Sequence, residues 1–124
     1  MEVKAFAAMS ATSQLEPWTI ERPLPGAFDV QIEILYCGVC HSDLHTARNE
    51  WHNTVYPVVP GHEIIGRVLA VGDRVVKYRT DDIVGVGCMV DSCQHCQSCR
   101  DGLEQYCEEG STGTYNSKLR DGSG

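Results

Sequence analysis

Four cysteines fall within the sixteen residues "SCQHCQSCRDGLEQYC", Ser92 to Cys107. Cys93, Cys96 and Cys99 are spaced by three, and Cys107 follows eight positions later. The stretch has no apolar periodicity of its own, so its backbone must be organised by whatever the sulfurs bind. A metal, a disulfide framework and a redox pair are the three chemistries open to it.

The rest of the chain narrows that choice. Its start, "MEVKAFAAMSATSQLEP", has no basic segment followed by a long apolar core, and no apolar run approaches the ~20 residues that span a bilayer. A cytoplasmic location with reduced thiols is the resulting expectation. The cysteines number seven, and an odd count leaves one thiol over in any all-disulfide scheme. Metal binding is therefore favoured for Cys93, Cys96, Cys99 and Cys107. Zinc takes four ligands tetrahedrally, and a closed all-sulfur shell marks a structural site. An iron–sulfur cluster is the rival, but those motifs add a nearby proline and a second cysteine set that this chain lacks. His95 lies among the four and reads as a solvated side chain.

The formal net charge of −7 argues against nucleic acid and against an anionic membrane as partners. At 124 residues the chain is one domain long and should bury a real core without covalent staples. "VKAFAAM" reads as a strand and "ERPLPGAFDV" as a loop. In "VQIEILYCGV", Val30, Ile32, Ile34 and Tyr36 fall on one face at period 2, which predicts a strand with one buried side. "CHSDLHTARNEW" predicts one helical turn capped by Ser42 or Asp43, and "YPVVPGHE" a loop. "IIGRVLAV" and "DDIVGVG" predict two more strands, and the tail "GSTGTYNSKLRDGSG" is polar and glycine-rich. Short strands joined by loops make a mainly β barrel or sandwich the expected class.

A second set of metal-binding residue types lies upstream. Cys40, His62 and Glu63 supply one sulfur, one imidazole and one carboxylate, a mixed shell of the kind that leaves a zinc open for catalysis, although a lone histidine after a glycine, such as His62, is more often a hydrogen-bonded loop residue than a ligand. Cys37 and Cys40 also form a C-x-x-C pair, but a thioredoxin-like site needs a βαβ context that is absent.

"CGVCHSDLH", "YPVVPGHEIIGRVLAVGDRV", "DSCQHCQSCRDGLEQYC" and "GTYNS" occur in this order and spacing. Together they resemble the zinc-dependent medium-chain alcohol dehydrogenases, in particular the cinnamyl-alcohol-dehydrogenase-like branch. The resemblance runs from about Val3 to the tail. It implies a GroES-like partial β-barrel over residues 1–124, with a structural-zinc lobe at 91–108. It also implies that Cys40 and His62 bind a catalytic zinc, with Glu63 the carboxylate behind the metal and Asp43 orienting the ligand histidine. On the same basis Ser42 and His45 form a proton relay, His41 meets the cofactor pyrophosphate, and Trp51 walls the substrate pocket. Cys37 and Cys88 match no ligand position and read as buried small hydrophobes. The implied chemistry is hydride transfer between a primary alcohol or its aldehyde and a nicotinamide, NADP rather than NAD, by an enzyme that is a homo-oligomer.

Two parts of that mechanism are not in these residues. No G-x-G-x-x-G/A opens a helix after a strand, and "GVGCMV" (Gly85 to Val90) runs straight into the cysteine cluster. The family's third ligand to the catalytic zinc is a cysteine beyond the lobe, whereas Cys107 is the last cysteine here. The resemblance therefore implies an incomplete catalytic domain, cut before the coenzyme domain, inactive alone and with unpaired strand edges. The alternative is a free-standing zinc-binding module without catalysis. One departure from the family is local: Asp81-Asp82 stands where Gly-Asp is usual, so an aspartate must take the turn.

Overall fold

The structure is a computed structural model that describes residues 1–122. Its strands are β1 (Glu2–Ala8), β2 (Leu15–Glu21), β3 (Val30–Gly38), β4 (Glu63–Val71), β5 (Ile83–Val86), β6 (Met89–Asp91) and β7 (Thr112–Gly113). Two short helices, α1 (His41–Ala47) and α2 (Gln97–Arg100), complete the regular structure with a 3₁₀ turn at Glu104–Tyr106. Every strand pairing is antiparallel: β1 with β2, β3–β4–β5 in one sheet, and β6 with β7. This agrees with the mainly β, GroES-like expectation. No helix among the described residues is long and apolar enough to cross a membrane.

Three of these strands have no counterpart in the sequence reading. β2 carries Pro17 opposite Phe6, and a proline demotes a strand pattern even though an edge strand tolerates it. β6 and β7 pair only at Met89–Gly113 and Asp91–Thr112, too short to leave a periodic trace. Helix α1 also differs. It runs seven residues, and neither Ser42 nor Asp43 is its N-cap: Cys40 is, with Asp43 in the third helical position.

The one-sided burial expected for β3 is only half present. Val30 and Ile32 are partly covered, but Ile34 is 56% and Tyr36 73% exposed. The pairing with β4 slips between Ile34 and Tyr36, so Leu35 is an extra residue and the alternation changes phase. β3 and β5 are the outer strands of their sheet.

The core is smaller than composition suggests. Its buried apolar residues are Ala7, Ala8, Val58 and Val68, with Cys99 and Cys107 in the lobe. The Ala8–Val58 bridge ties β1 to the loop before β4, with N–H···O distances of 2.9 and 3.0 Å. The accessible surface is 8648 Å². A compact monomer of this mass exposes roughly 6,600 Å², so about 2,000 Å² more is open than self-contained folding would leave. Phe6, Phe28, Val39, Val55, Val76 and Ile83 contribute to that excess.

The aspartate expected to take a glycine's turn does so. Asp81 has φ +73°, and its N–H donates to Val68 O at 2.9 Å while Asp82 O accepts from Val68 N. Left-handed backbone strains any residue with a Cβ, aspartate less than most. Asp81→Gly is expected to raise stability by about 0.5–1 kcal/mol, read as a higher midpoint in thermal or denaturant unfolding.

Two candidate metal centres

The C-x-x-C-x-x-C run folds into a loop closed at its base by β6 and β7. All four sulfurs lie within 4.8 Å of one another, and Cys93 Sγ and Cys99 Sγ are 3.8 Å apart. Zinc–sulfur bonds of about 2.3 Å at tetrahedral angles put the sulfurs about 3.8 Å apart, so the set fits one ion. All seven cysteines are free. Backbone N–H groups converge on the sulfurs: Cys96 N on Cys93 Sγ at 3.2 Å, Cys93 N on Cys107 Sγ at 3.4 Å, and Glu108 N on Cys96 Sγ at 3.5 Å. These donors stabilise thiolate, the form that binds metal.

The sulfurs are not equivalent. The Glu108 backbone N–H, helped by that of Cys99, holds Cys96 at about 6. The Cys93 backbone N–H holds Cys107 below the ordinary thiol range. The Ser92 hydroxyl pulls Cys99 down, but burial and the Cys96 and Cys107 sulfurs outweigh it and push Cys99 up to about 11. His95 is exposed, as expected of a solvated side chain, and it is also partnered. Its Nδ1 lies 2.7 Å from Cys93 O and its Nε2 2.6 Å from Glu109, which Arg120 also pairs at 2.9 Å. In the metal-free, reduced chain, Cys96 should alkylate with iodoacetamide down to near pH 6 while Cys99 resists at neutral pH. Mass-spectrometric mapping of the labelled sites against pH checks this.

The second set is assembled from the start of α1 and the start of β4. Cys40 caps α1, and its N–H donates to Asp43 Oδ2 at 2.8 Å. Gly61 takes φ +126°, and a Cβ there would stand 2.9 Å from Cys37 Sγ. A Cβ at Gly38 would collide with the Glu63 carboxylate. Glycine at both positions lets His62 and Glu63 approach β3 closely. The donor atoms of Cys40, His62 and Glu63 then lie within 4.8 Å of one another.

His62 and Asp43 are both buried, and His62 Nδ1 stands 3.3 Å from Asp43 Oδ1. The pair is close enough for ion pairing but out of line for a hydrogen bond, so both atoms lack a hydrogen-bond partner. Nδ1 faces a carboxylate, which leaves Nε2 for a ligand. Metal-binding histidines are oriented in this way by a carboxylate behind them. A thiol, an imidazole and a carboxylate around a buried, unsatisfied histidine are a donor set that zinc fits.

The residues expected to form a relay are present but not joined to each other. Ser42 donates to Cys40 Sγ at 3.1 Å, and His45 Nδ1 pairs with Glu50. His41 stacks on His45 with centroids 4.6 Å apart, and Trp51 tilts against the same ring at 5.0 Å. Trp51 and His41 are both exposed. Cys37 and Cys88 are exposed as well, contrary to their reading as buried hydrophobes. Cys37 lies on the uncovered part of β3, and Cys88 links β5 to β6.

Two residues of the site escaped the sequence reading. Glu50 reaches His45 because Asn49 takes φ +55° at the helix end and Glu50 N–H donates back to His45 O at 2.9 Å. The asparagine after a helical pattern was the available signal. Tyr115, inside the quoted "GTYNS", stacks on His62 with centroids 5.4 Å apart and planes at 16°. Asn116 beside it accepts from Val55 N at 3.0 Å and donates to Asn53 O at 3.2 Å. Replacing Asp43 by alanine removes the helix-start hydrogen bond and the His62 partner together. A loss of about 1–2 kcal/mol is expected, measured by denaturant unfolding.

The alcohol dehydrogenase GroES-like domain family matches residues 26–123. The chain belongs to that family. It is 63% identical over 124 residues to the aldehyde reductase YahK of Escherichia coli, covering 100% of this chain and 35% of the relative. It is 58% identical over 120 residues to the NADP-dependent alcohol dehydrogenase C of Mycobacterium tuberculosis, covering 97% and 35%. Among solved structures it resembles the cinnamyl alcohol dehydrogenase SbCAD4 of Sorghum bicolor, with a TM-score of 0.93 and 44% identity over 98% of this chain and 34% of the other. A cinnamyl alcohol dehydrogenase of Helicobacter pylori, solved with NADP(H), superposes with a TM-score of 0.93 at 41% identity, over 98% and 35%. The chain thus spans little more than a third of the relatives it matches.

Proposed function

We propose that these residues are the zinc-binding catalytic part of an NADP-dependent alcohol dehydrogenase that interconverts primary alcohols and aldehydes. The observation that carries this reading is the convergence of Cys40, His62 and Glu63 beside Asp43 and Ser42. In this reading Cys93, Cys96, Cys99 and Cys107 hold a structural zinc and the mixed set holds a catalytic one. Zinc at the mixed set supplies Lewis acidity toward the alcohol oxygen.

The chain's own groups manage the proton. Glu50 can only accept as a carboxylate, so His45 Nδ1 carries the hydrogen between them and Nε2 is the ring atom left to exchange a proton along the path. His45 is half-buried, and its ring contacts both His41 and Trp51, which restrict the direction in which Nε2 points. Ser42 stands two residues from Cys40 at the metal side and His45 one helical turn on, with a hydroxyl or water needed to bridge them. Trp51 offers an exposed apolar face next to this path and reads as a substrate wall. His41, exposed at the helix N-terminus, reads as the phosphate contact of the coenzyme. Among the described residues no G-x-G-x-x-G/A opens a helix after a strand, and Gly85, within β5, and Gly87 lead into β6 rather than into a helix, so the nicotinamide is assigned to residues outside these 124.

The reading that competes is a zinc-stabilised module without catalysis. Grafting the chain onto the coenzyme-binding remainder of the E. coli aldehyde reductase separates the two. The graft should oxidise NADPH with an aromatic aldehyde, and His45→Ala should lower kcat by about 10²–10⁴-fold. A folded graft with two zinc ions and no reductase activity would favour the module.

A further inference from the structure

We propose that Tyr115 is a positioning residue that fixes the ring plane of His62 for metal binding, an inference that rests on the reading of His62 as a ligand. His62 has two side-chain neighbours that could orient it. Asp43 is 3.3 Å from Nδ1 but out of line, so it attracts the ring without setting its plane. Tyr115 lies nearly parallel to the ring at 5.4 Å, within the range of favourable offset stacking.

Tyr115 is itself held at both ends. Thr46 Oγ1, on the buried side of α1, donates to its hydroxyl at 3.4 Å, and Thr46 O accepts from Thr54 Oγ1 at 2.6 Å. Asn116, the next residue, is bonded to the backbone of the 53–55 loop. The ring is therefore wedged between the helix that Cys40 caps and the histidine just before β4. A displacement of α1 relative to β4 would have to break that wedge, so Tyr115 also sets the separation of two ligands from different elements.

The test titrates cobalt(II) into the reduced, zinc-free chain, with Tyr115→Phe and Tyr115→Leu beside the natural sequence. The four-cysteine lobe gives an intense thiolate-to-cobalt band that serves as an internal control for folding. Tyr115→Leu should weaken the second cobalt equivalent roughly 10–100-fold, the range for residues that orient a ligand. Tyr115→Phe keeps the ring and should bind like the natural chain. In the metal-free chain the His62 ring protons should lie upfield by NMR, keep that shift in Tyr115→Phe, and lose it in Tyr115→Leu. Unchanged affinity and unchanged His62 shifts in Tyr115→Leu would overturn the proposal. So would a Tyr115→Phe variant as impaired as Tyr115→Leu, or loss of the four-cysteine band in Tyr115→Leu, which would mean a general collapse. If the natural chain takes up only one cobalt, the ligand reading of Cys40, His62 and Glu63 fails. The His62 shifts alone then decide whether Tyr115 sets the ring.

Discussion

A single buried carboxylate ties the two halves of the candidate catalytic set together. Asp43 accepts the Cys40 N–H with one oxygen and faces the His62 ring with the other. The first contact starts helix α1 and so fixes where Cys40, Ser42 and His45 point. The second draws in a histidine nineteen positions beyond Asp43, at the end of a proline-bounded loop. Burying a carboxylate is costly unless it is well partnered. Here the second partner is misaligned, and the site gains a histidine that is close to ideal for a ligand but not yet satisfied. Polar groups left short in this way belong at places where something binds.

The open β3 face makes a different point about where stability comes from. With an apolar core confined to a few small side chains and a valine pair, hydrophobic burial is concentrated around β1, the Val58 loop and β4. The four-cysteine lobe contributes only its own thiols to that core. It is organised instead by N–H···S hydrogen bonds, and those bonds depress two sulfurs while a third stays high. The lobe and the barrel strands thus rest on separate physical terms, one electrostatic and one hydrophobic.

The sequence was informative where chemistry is local. Cysteine spacing identified the lobe because its ligands are near neighbours in the chain, whereas His62 was singled out only by the family resemblance of "PGHE" and its neighbours. Asp81 was readable in the same way, as an aspartate where the resembled family usually places a glycine. What was missed depends on distant pairing. Tyr115 meets His62 across fifty-three residues, and nothing in "GTYNS" announces a ring stack. β2 hid behind Pro17, and the phase of β3 was misjudged because a bulge at Leu35 is invisible to a period-2 pattern. Cys37 and Cys88 were assigned to a core that the described chain does not build around them.

The chain leaves for the cysteine lobe along β6 and returns along β7, and those two strands are hydrogen-bonded to each other. Exit and re-entry therefore lie side by side, so the lobe behaves as a cassette whose removal asks only for a short turn across the gap. Residues beyond the return, Tyr115 and Asn116 among them, would keep their register with the helix and loop they brace. A fold drawn this way lets the metal lobe be lost or rebuilt over evolutionary time without moving the chemistry beside it.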